Sequence, residues 1–110
     1  MNYLYLEQDY IDDVIAGALH GREQEHFHYA LDLANFQDVL KASNDPELRA
    51  DMEARIAAIT RSLDVVDKIY AALLSRITDP ERHATAVARC AAKRLAEAEQ
   101  KQEIKANDRS

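Results

Sequence analysis

The residues MEARIAAITRSLDVVDKIYAALLSRI, from Met52 to Ile77, decide the fold. Apolar side chains recur along this stretch in alternating steps of four and three residues, which is the repeat of a coiled coil or a helical-bundle seam. The repeat lasts for about three and a half heptads, so it predicts one long helix with a continuous apolar face. This seam comprises Met52, Ile56, Ile59, Leu63, Val66, Tyr70, Leu73 and Ile77.

Two proline-containing breaks bound this helix. Ser43-Asn44-Asp45-Pro46 precedes it, and Thr78-Asp79-Pro80-Glu81 follows it. Proline suits the first position of a helix and disfavours helical angles at the residue before it. We therefore predict helices over residues 46–77 and 80–103. The later one begins either with Asp79 as its N-cap or with a capping box of Thr78 and Glu81.

A further helix is predicted over residues 9–42, with Asp9 as its N-cap. Residues 1–8 are expected to form an extended arm or the helix start, and residues 104–110 a frayed tail. The inward stripe of the helix over residues 9–42 is predicted as Ile15, Leu19, Arg22, His26, Tyr29, Leu33, Phe36 and Leu40. The stripe of the helix over residues 80–103 is predicted as Ala84, Val87, Ala91, Leu95 and Ala98.

These patterns predict an all-α fold in a single domain over residues 1–110. Short connections favour antiparallel neighbours, so we expect a three-helix antiparallel bundle or a helical hairpin with coiled-coil character. A chain of 110 residues buries only a modest core. Self-association through the seam over residues 52–77 is therefore expected to complete that core.

The charge of the chain is unevenly distributed. The net charge of −6 argues against direct binding of nucleic acid and against anionic membrane surfaces. Residues 1–45 carry nine acids and two bases, whereas residues 79–110 carry six acids and seven bases. The simplest expectation is that the acidic part lies beside the basic part. The alternative is a negative surface that competes with nucleic acid for a basic groove in another protein.

The sequence also predicts a cytoplasmic protein of a bacterial host. Cys90 is the single cysteine, so no internal disulfide forms and a reducing compartment is expected. The first residues do not resemble a signal peptide, and no window of 18 residues is apolar enough to span a membrane.

An unusual polar cluster interrupts the first stripe. Arg22 and His26 lie one turn apart where apolar residues are expected, and Glu23 and Glu25 flank them. Such residues need partners if they are buried. The cluster is interpreted as a polar layer that fixes helix register, as a recognition site, or as a surface face. Gly17 and Gly21 lie just before it, and they predict close approach of another helix, a kink or a break.

Metal binding and catalysis find little support. Glu23, Glu25, His26 and His28 form two interleaved Glu-x-x-His pairs, which on one helix face are candidate metal ligands. Residues 46–110 supply no second pair, so no metal and no cofactor are expected. Cys90 is interpreted as a small, partly buried thiol. No nucleophile elbow, P-loop or glycine-rich nucleotide motif occurs, so we predict that the chain is not an enzyme.

The segment REQEHFHYALDLANFQDVL, residues 22–40, resembles a group of small proteins encoded by tailed phages and prophages. Asp32 stands where that group often has asparagine. The group has no assigned activity, so the resemblance implies a viral or prophage origin and no mechanism. The residues that carry the resemblance are Arg22, Glu23, Glu25, Tyr29, Leu33, Asn35 and Phe36.

Together these observations predict a small protein–protein interaction module that binds and inhibits a host, viral or defence protein. Two alternatives stay open: a structural homo-oligomer, and a metal-binding helical bundle. The residues expected to recognise a partner or ligand are Arg22, Glu23, Glu25, His26, Tyr29, Asn35 and Phe36. The residues expected in the oligomer or core seam are Ile56, Ile59, Leu63, Val66, Tyr70, Leu73 and Ile77.

Overall fold

A computed structural model describes residues 5–108 and confirms the all-helical prediction. Helix α1 spans Glu7–Ala42, α2 spans Pro46–Leu74 and α3 spans Pro80–Asp108. Residues 5–108 contain no strand. The contacts between the helices fit a bundle.

The start of α1 differs from the prediction. The helix begins at Glu7, so Asp9 is its third residue and the predicted N-cap at Asp9 is wrong. The backbone N–H of Leu6 donates to Asp9 Oδ2 at 2.8 Å. Asp9 thus satisfies an N-terminal backbone donor from inside the helix, as the acidic member of a capping box does. Of the predicted arm, Glu7 and Gln8 are helical, and residues 1–4 lie outside the described residues.

The other two helices start with aspartate caps followed by proline. Asp45 Oδ1 accepts from the backbone N–H of Glu47 at 3.1 Å. Asp79 Oδ1 accepts from Glu81 N–H at 3.0 Å and from Arg82 N–H at 3.2 Å. The N-cap of α3 is therefore Asp79, one of the two predicted alternatives.

The ends of α2 and α3 also differ from the prediction. Helix α2 stops at Leu74 with Ser75 as its C-cap, so Ile77 lies beyond the helix that was predicted to contain it. Helix α3 continues to Asp108, so residues 104–108 of the predicted tail are helical. The last two residues, 109 and 110, lie outside the described residues.

The chain divides into two compact units, and α1 contributes to both. The first unit comprises Met1–Ala18 with Arg76–Ser110, and the second comprises Leu19–Ser75. In the second unit, residues 19–42 of α1 pack with α2. Arg49 Nη1 closes the loop between them, because it donates to the backbone carbonyls of Leu40 at 2.6 Å and Ser43 at 3.0 Å.

Charge holds α3 against α1 in the first unit. Arg82 contacts Asp9 and Asp12, each at 3.1 Å, and Arg89 contacts Asp13 at 2.7 Å. Asp9 is buried, with 6% of its surface exposed. The acidic start of the chain therefore lies beside bases of its last third, as the simplest reading of the charge distribution expects.

The predicted inward stripe of α3 is wrong. The residues that face inward lie one or two positions before it, and the two arginines among them bind the carboxylates of α1. Helix α3 thus docks by ion pairs around one small side chain, Ala86, which is fully buried. The inward residues are Arg82, His83, Ala86, Arg89 and Cys90. The five residues of the predicted stripe are all exposed: Ala84, Val87, Ala91, Leu95 and Ala98.

The α2 seam residues are the less exposed residues of the second unit. Met52 and Val66 are buried, with 7% and 5% of their surfaces exposed. The rest of the seam on α2 is half-buried, and Ile77, beyond the helix, is also half-buried. The half-buried seam residues on α2 are Ile56, Ile59, Leu63, Tyr70 and Leu73.

The expected close approach at the glycines is not found. No described atom lies within 4 Å of a Cβ built on Gly17 or Gly21, and α1 continues without a break through both. Neither glycine has a positive φ. The missing side chains of Gly17 and Gly21 therefore make room for no neighbouring group within the described residues.

Replacing Gly17 with alanine should stabilise the protein. Alanine fits the open space, and the glycine backbone loses more entropy when the helix forms. We expect Gly17→Ala to raise the free energy of unfolding by about 0.5–1 kcal/mol. The reverse change at an exposed position of α2, Ala57→Gly, should lower it similarly. Urea denaturation measures both, and a destabilised Gly17→Ala protein would show that something packs against this glycine.

Candidate functional site

A groove between α1 and α2 gathers part of the predicted polar cluster. It has a volume of about 280 Å³. Its floor is the buried Val66, and its rim is polar. We call it the Tyr70 groove. It is lined by Arg22, Glu23, His26, Val66, Asp67 and Tyr70.

The Tyr70 hydroxyl ties the two helices together at one end of this groove. It donates to Glu23 Oε1 at 3.0 Å. The hydrogen bond favours the neutral phenol, so it raises the pKa of Tyr70 above its ordinary value, and partial burial and the Glu23 charge act in the same direction. Tyr70 thus serves both as a seam residue and as a polar contact across the groove.

His26 and Asp67 face each other on the same rim. His26 Nε2 lies 3.7 Å from Asp67 Oδ1, and the two side chains are 51% and 65% exposed. An exposed pair of this kind contributes little to stability, because water screens it. Both side chains therefore remain accessible to a binding partner.

Arg22 is only partly satisfied. Its Nη2 donates to Glu25 Oε1 at 2.6 Å. Its Nε is buried and has no hydrogen-bond partner among the described residues. A buried donor without an acceptor is unfavourable, so this nitrogen lowers the stability of the contact between α1 and α2.

The remaining recognition candidates lie elsewhere. A second groove on the other side of the α1–α2 seam contains Glu25 and Tyr29. Phe36 lies under the guanidinium of Arg55, 5.7 Å from ring centroid to Cζ, and Asn35 is exposed. The predicted set is therefore divided between two surfaces. The lining of this second groove, called the Ile69 groove, is Glu25, Tyr29, Ala58, Arg61, Ser62, Val65, Val66 and Ile69.

The candidate metal ligands are not brought together. Glu23 contacts Tyr70, Glu25 contacts Arg22, and His26 faces Asp67. His28 packs edge-on against Phe27, with 5.7 Å between the ring centroids. Within the described residues, no three histidine, cysteine, aspartate or glutamate side chains form a group that could hold a metal ion.

Sequence reasoning missed a second polar cluster, at the start of α1. The Tyr5 hydroxyl donates to Asp13 Oδ2 at 2.8 Å, which raises the pKa of Tyr5 to about 12. Arg89 binds Asp13 and lies over the Tyr5 ring at 5.9 Å. The Cys90 thiol points at the backbone carbonyl of Asp13, 3.6 Å away. Each of these groups already has a partner in the first unit, so the cluster has a structural role.

Sequence reasoning also missed Asp67 and the dual role of Tyr70. The available signal was Tyr70 itself, the one member of the α2 seam with a polar tip. A tyrosine in such a seam needs a partner for its hydroxyl, and an acid on the facing helix is the expected acceptor.

Among residues 5–108, no helix has the length and apolar character needed to cross a membrane. No protein-family model matches the chain, and neither a curated protein nor a solved structure matches it.

Tyr70 and Glu23 should be energetically coupled. Tyr70→Phe removes the donor and Glu23→Ala removes the acceptor. Each substitution should therefore lower the free energy of unfolding by less when the other substitution is already present. We expect a coupling of a few tenths of a kcal/mol, because solvent screens this contact. Denaturant unfolding of the two single variants and the double variant at pH 8 measures it. Strict additivity would contradict the role assigned to this hydrogen bond.

The same contact should weaken in alkali. The folded-state pKa of Tyr70 is raised above the unfolded value of about 10. Its contribution to stability is therefore complete below about pH 10 and is lost as the pH rises through the folded-state pKa. The coupling between Tyr70 and Glu23 should accordingly decrease when the cycle is repeated above pH 10. A coupling that grows with pH would contradict the assignment.

Proposed function

We propose that this chain is a non-enzymatic protein–protein interaction module. The observation that supports it most is the small core of the second unit beside its exposed apolar side chains. Leu19 is 4% exposed, whereas Phe27 is 61% and Val65 is 54% exposed. Exposed aromatic and aliphatic side chains on a polar helical surface are typical of binding surfaces.

We infer that α1 and α2 form an antiparallel hairpin with coiled-coil character. Glu23 contacts Tyr70, and the later α1 residue Phe36 contacts the earlier α2 residue Arg55. Contacts that descend α2 as they ascend α1 are those of an antiparallel pair. The steps of four and three residues along the α2 seam support knobs-into-holes packing in this pair.

The surface proposed to bind the partner is the Tyr70 groove together with the neighbouring Phe27. Arginine, tyrosine and phenylalanine are enriched where binding energy concentrates. The exposed side chains of His26 and Asp67 offer polar groups to a partner. The resemblance of residues 22–40 to phage and prophage proteins supports a host, viral or defence protein as the partner. We propose that the chain inhibits this partner in the bacterial cytoplasm by occupying its surface.

Self-association is a second candidate, favoured by exposed apolar side chains on α2, where Val65 is 54% and Ile69 is 39% exposed. Metal binding is not supported, since the candidate ligands are separated among the described residues.

The proposed partner surface can be tested by replacing His26 and Phe27 together with alanine. Tagged wild-type chain, crosslinked in a bacterial lysate, should retain a protein that the His26→Ala/Phe27→Ala chain loses. With the purified partner, affinity should fall by at least about tenfold, because exposed aromatic anchors carry much of the energy of an interface.

The matched control is Leu95→Ala on α3. Leu95 is 62% exposed, nearly the same as Phe27, but it belongs to the first unit and does not line the groove. This variant should retain the partner as well as the wild-type chain does. If no protein distinguishes the wild-type chain from the His26→Ala/Phe27→Ala variant, the proposed surface is wrong.

A further inference from the structure

Helix α2 carries a second heptad stripe, one position behind its inward seam. Its residues follow the same alternation of four and three steps, but they face solvent. Val65 is 54% exposed and Ile69 is 39% exposed. We call this stripe the outer stripe. It consists of Ala58, Ser62, Val65, Ile69 and Ala72.

The outer stripe forms one wall of the Ile69 groove, and Glu25 and Tyr29 of α1 form the opposite wall. Val65 and Ile69 are branched apolar side chains at the middle of the stripe, and the residues on either side of them are small, which permits close approach of another helix. A helix that exposes a second heptad stripe has the pattern of a member of a larger bundle rather than of an isolated hairpin.

The two edges of this face carry opposite charges. On α1, Glu25 borders the groove, and Asp32 lies two turns further on the same side. On α2, Arg61 borders the groove, and Lys68 lies two turns further along the same edge. Glu25 and Asp32 thus place acids on the α1 edge, and Arg61 and Lys68 place bases on the α2 edge. Arg22 already pairs with Glu25, and Asp64 with Lys68.

The register of the hairpin places these charges at matching heights. Because Glu23 contacts Tyr70 and His26 faces Asp67, residue 25 is level with Lys68, and residue 32 is level with Arg61. A two-fold axis parallel to the helices keeps each residue at its height and lays the α1 edge of one copy over the α2 edge of the other.

We propose that a second copy of this chain packs on this face, with each α1 lying over the partner's α2, to form a four-helix bundle. This proposal rests on the proposed function, and it names a second copy of the chain as one partner of the interaction module. Each Glu25 then meets the Lys68 of the second copy, and each Asp32 meets its Arg61. Edge charges of this kind set partner choice and orientation in helical bundles.

The charges select this arrangement over the other two-fold packing of the same face. Placing α1 over α1 would oppose Glu25 and Asp32 to the same acids of the second copy, and α2 over α2 would oppose bases to bases. Glu25 and Lys68 already have ion-pair partners within the chain, so the proposed pairing requires both to exchange them. Arg22 and Glu25 form an ion pair with 2.6 Å between Nη2 and Oε1, and their side chains are 30% and 41% exposed. Lys68 and Asp64 form an ion pair in which both side chains are mostly exposed, at 76% and 63%. Such a pair is weak and exchangeable.

The proposal can be tested with the full chain by charge reversal and measurement of oligomeric mass. Sedimentation equilibrium should give twice the 12.5 kDa of one chain for the wild-type protein. The variants Glu25→Lys/Asp32→Lys and Arg61→Glu/Lys68→Glu should each dimerise about tenfold to a hundredfold more weakly, because like charges then face each other. A one-to-one mixture of these two variants should recover the dimer, and so should the chain that carries all four changes.

The matched control for Glu25→Lys/Asp32→Lys is Asp38→Lys/Glu53→Lys, which also replaces two acids by lysine, at exposed positions on other helix faces. It should dimerise like the wild-type chain. Circular dichroism checks that each variant folds, and recovery in the mixture shows independently that both variants are intact.

A wild-type chain that stays monomeric at micromolar concentration overturns the proposal. So do reversal variants that dimerise as tightly as the wild-type chain, or a mixture and a fourfold variant that both stay dissociated. The partner test at the Tyr70 groove changes only His26 and Phe27, and the dimer test changes neither of them. Failure of the dimer and failure of the partner surface are therefore distinguishable.

Discussion

The register of α2 against the second half of α1 is the constraint on which the rest of the second unit depends. Two contacts fix it at one end, Tyr70 with Glu23 and His26 with Asp67. Arg49 fixes it at the loop, where its guanidinium donates to the carbonyls of Leu40 and Ser43. A slip of one turn would break all of these contacts at once. The two grooves, and the heights of the charges beside them, follow from this register.

The first unit is held together by different physics. Its buried apolar side chains, Ala16 and Ala86, are small, so burial of apolar area contributes little. The buried carboxylate of Asp9 must instead be paired, and Arg82 and the N–H of Leu6 both bind it. These partners explain why the acids at the start of α1 are used within the chain. The acids at the start of α1 are therefore less available to imitate nucleic acid on a basic partner protein.

Periodicity predicted the helices well and predicted α3 packing poorly. The α2 seam was readable because large apolar side chains repeat without interruption, and Asp45-Pro46 and Asp79-Pro80 marked the helix starts. The α3 stripe was misassigned because alanines occupy several faces of that helix, so small apolar residues do not identify the inward one. Ion pairs from Arg82 and Arg89 decided the orientation, and such long-range pairs leave no local periodicity.

The sequence located the polar cluster on α1, but it did not show that the members of this cluster face different grooves. Arg22 and His26 stood out because they interrupt an apolar stripe. Which side of the seam each neighbour faces depends on the helix that packs there, and sequence spacing on α1 alone does not contain that information. Asp67 and Tyr70 come from a helix 40 or more residues away, so only the fold brings them to His26 and Glu23.

The proposed dimer places a second copy on the exposed face of α1 and α2, with α1 over α2. Crosslinking between two single-cysteine chains tests this most directly. In a Cys90→Ser background, chains carrying Asp32→Cys and chains carrying Arg61→Cys are mixed and treated with a short bismaleimide. The account predicts that crosslinked dimers form mainly between the two different chains. Equal or greater crosslinking between two Asp32→Cys chains, or no crosslinked dimer at all, would contradict it.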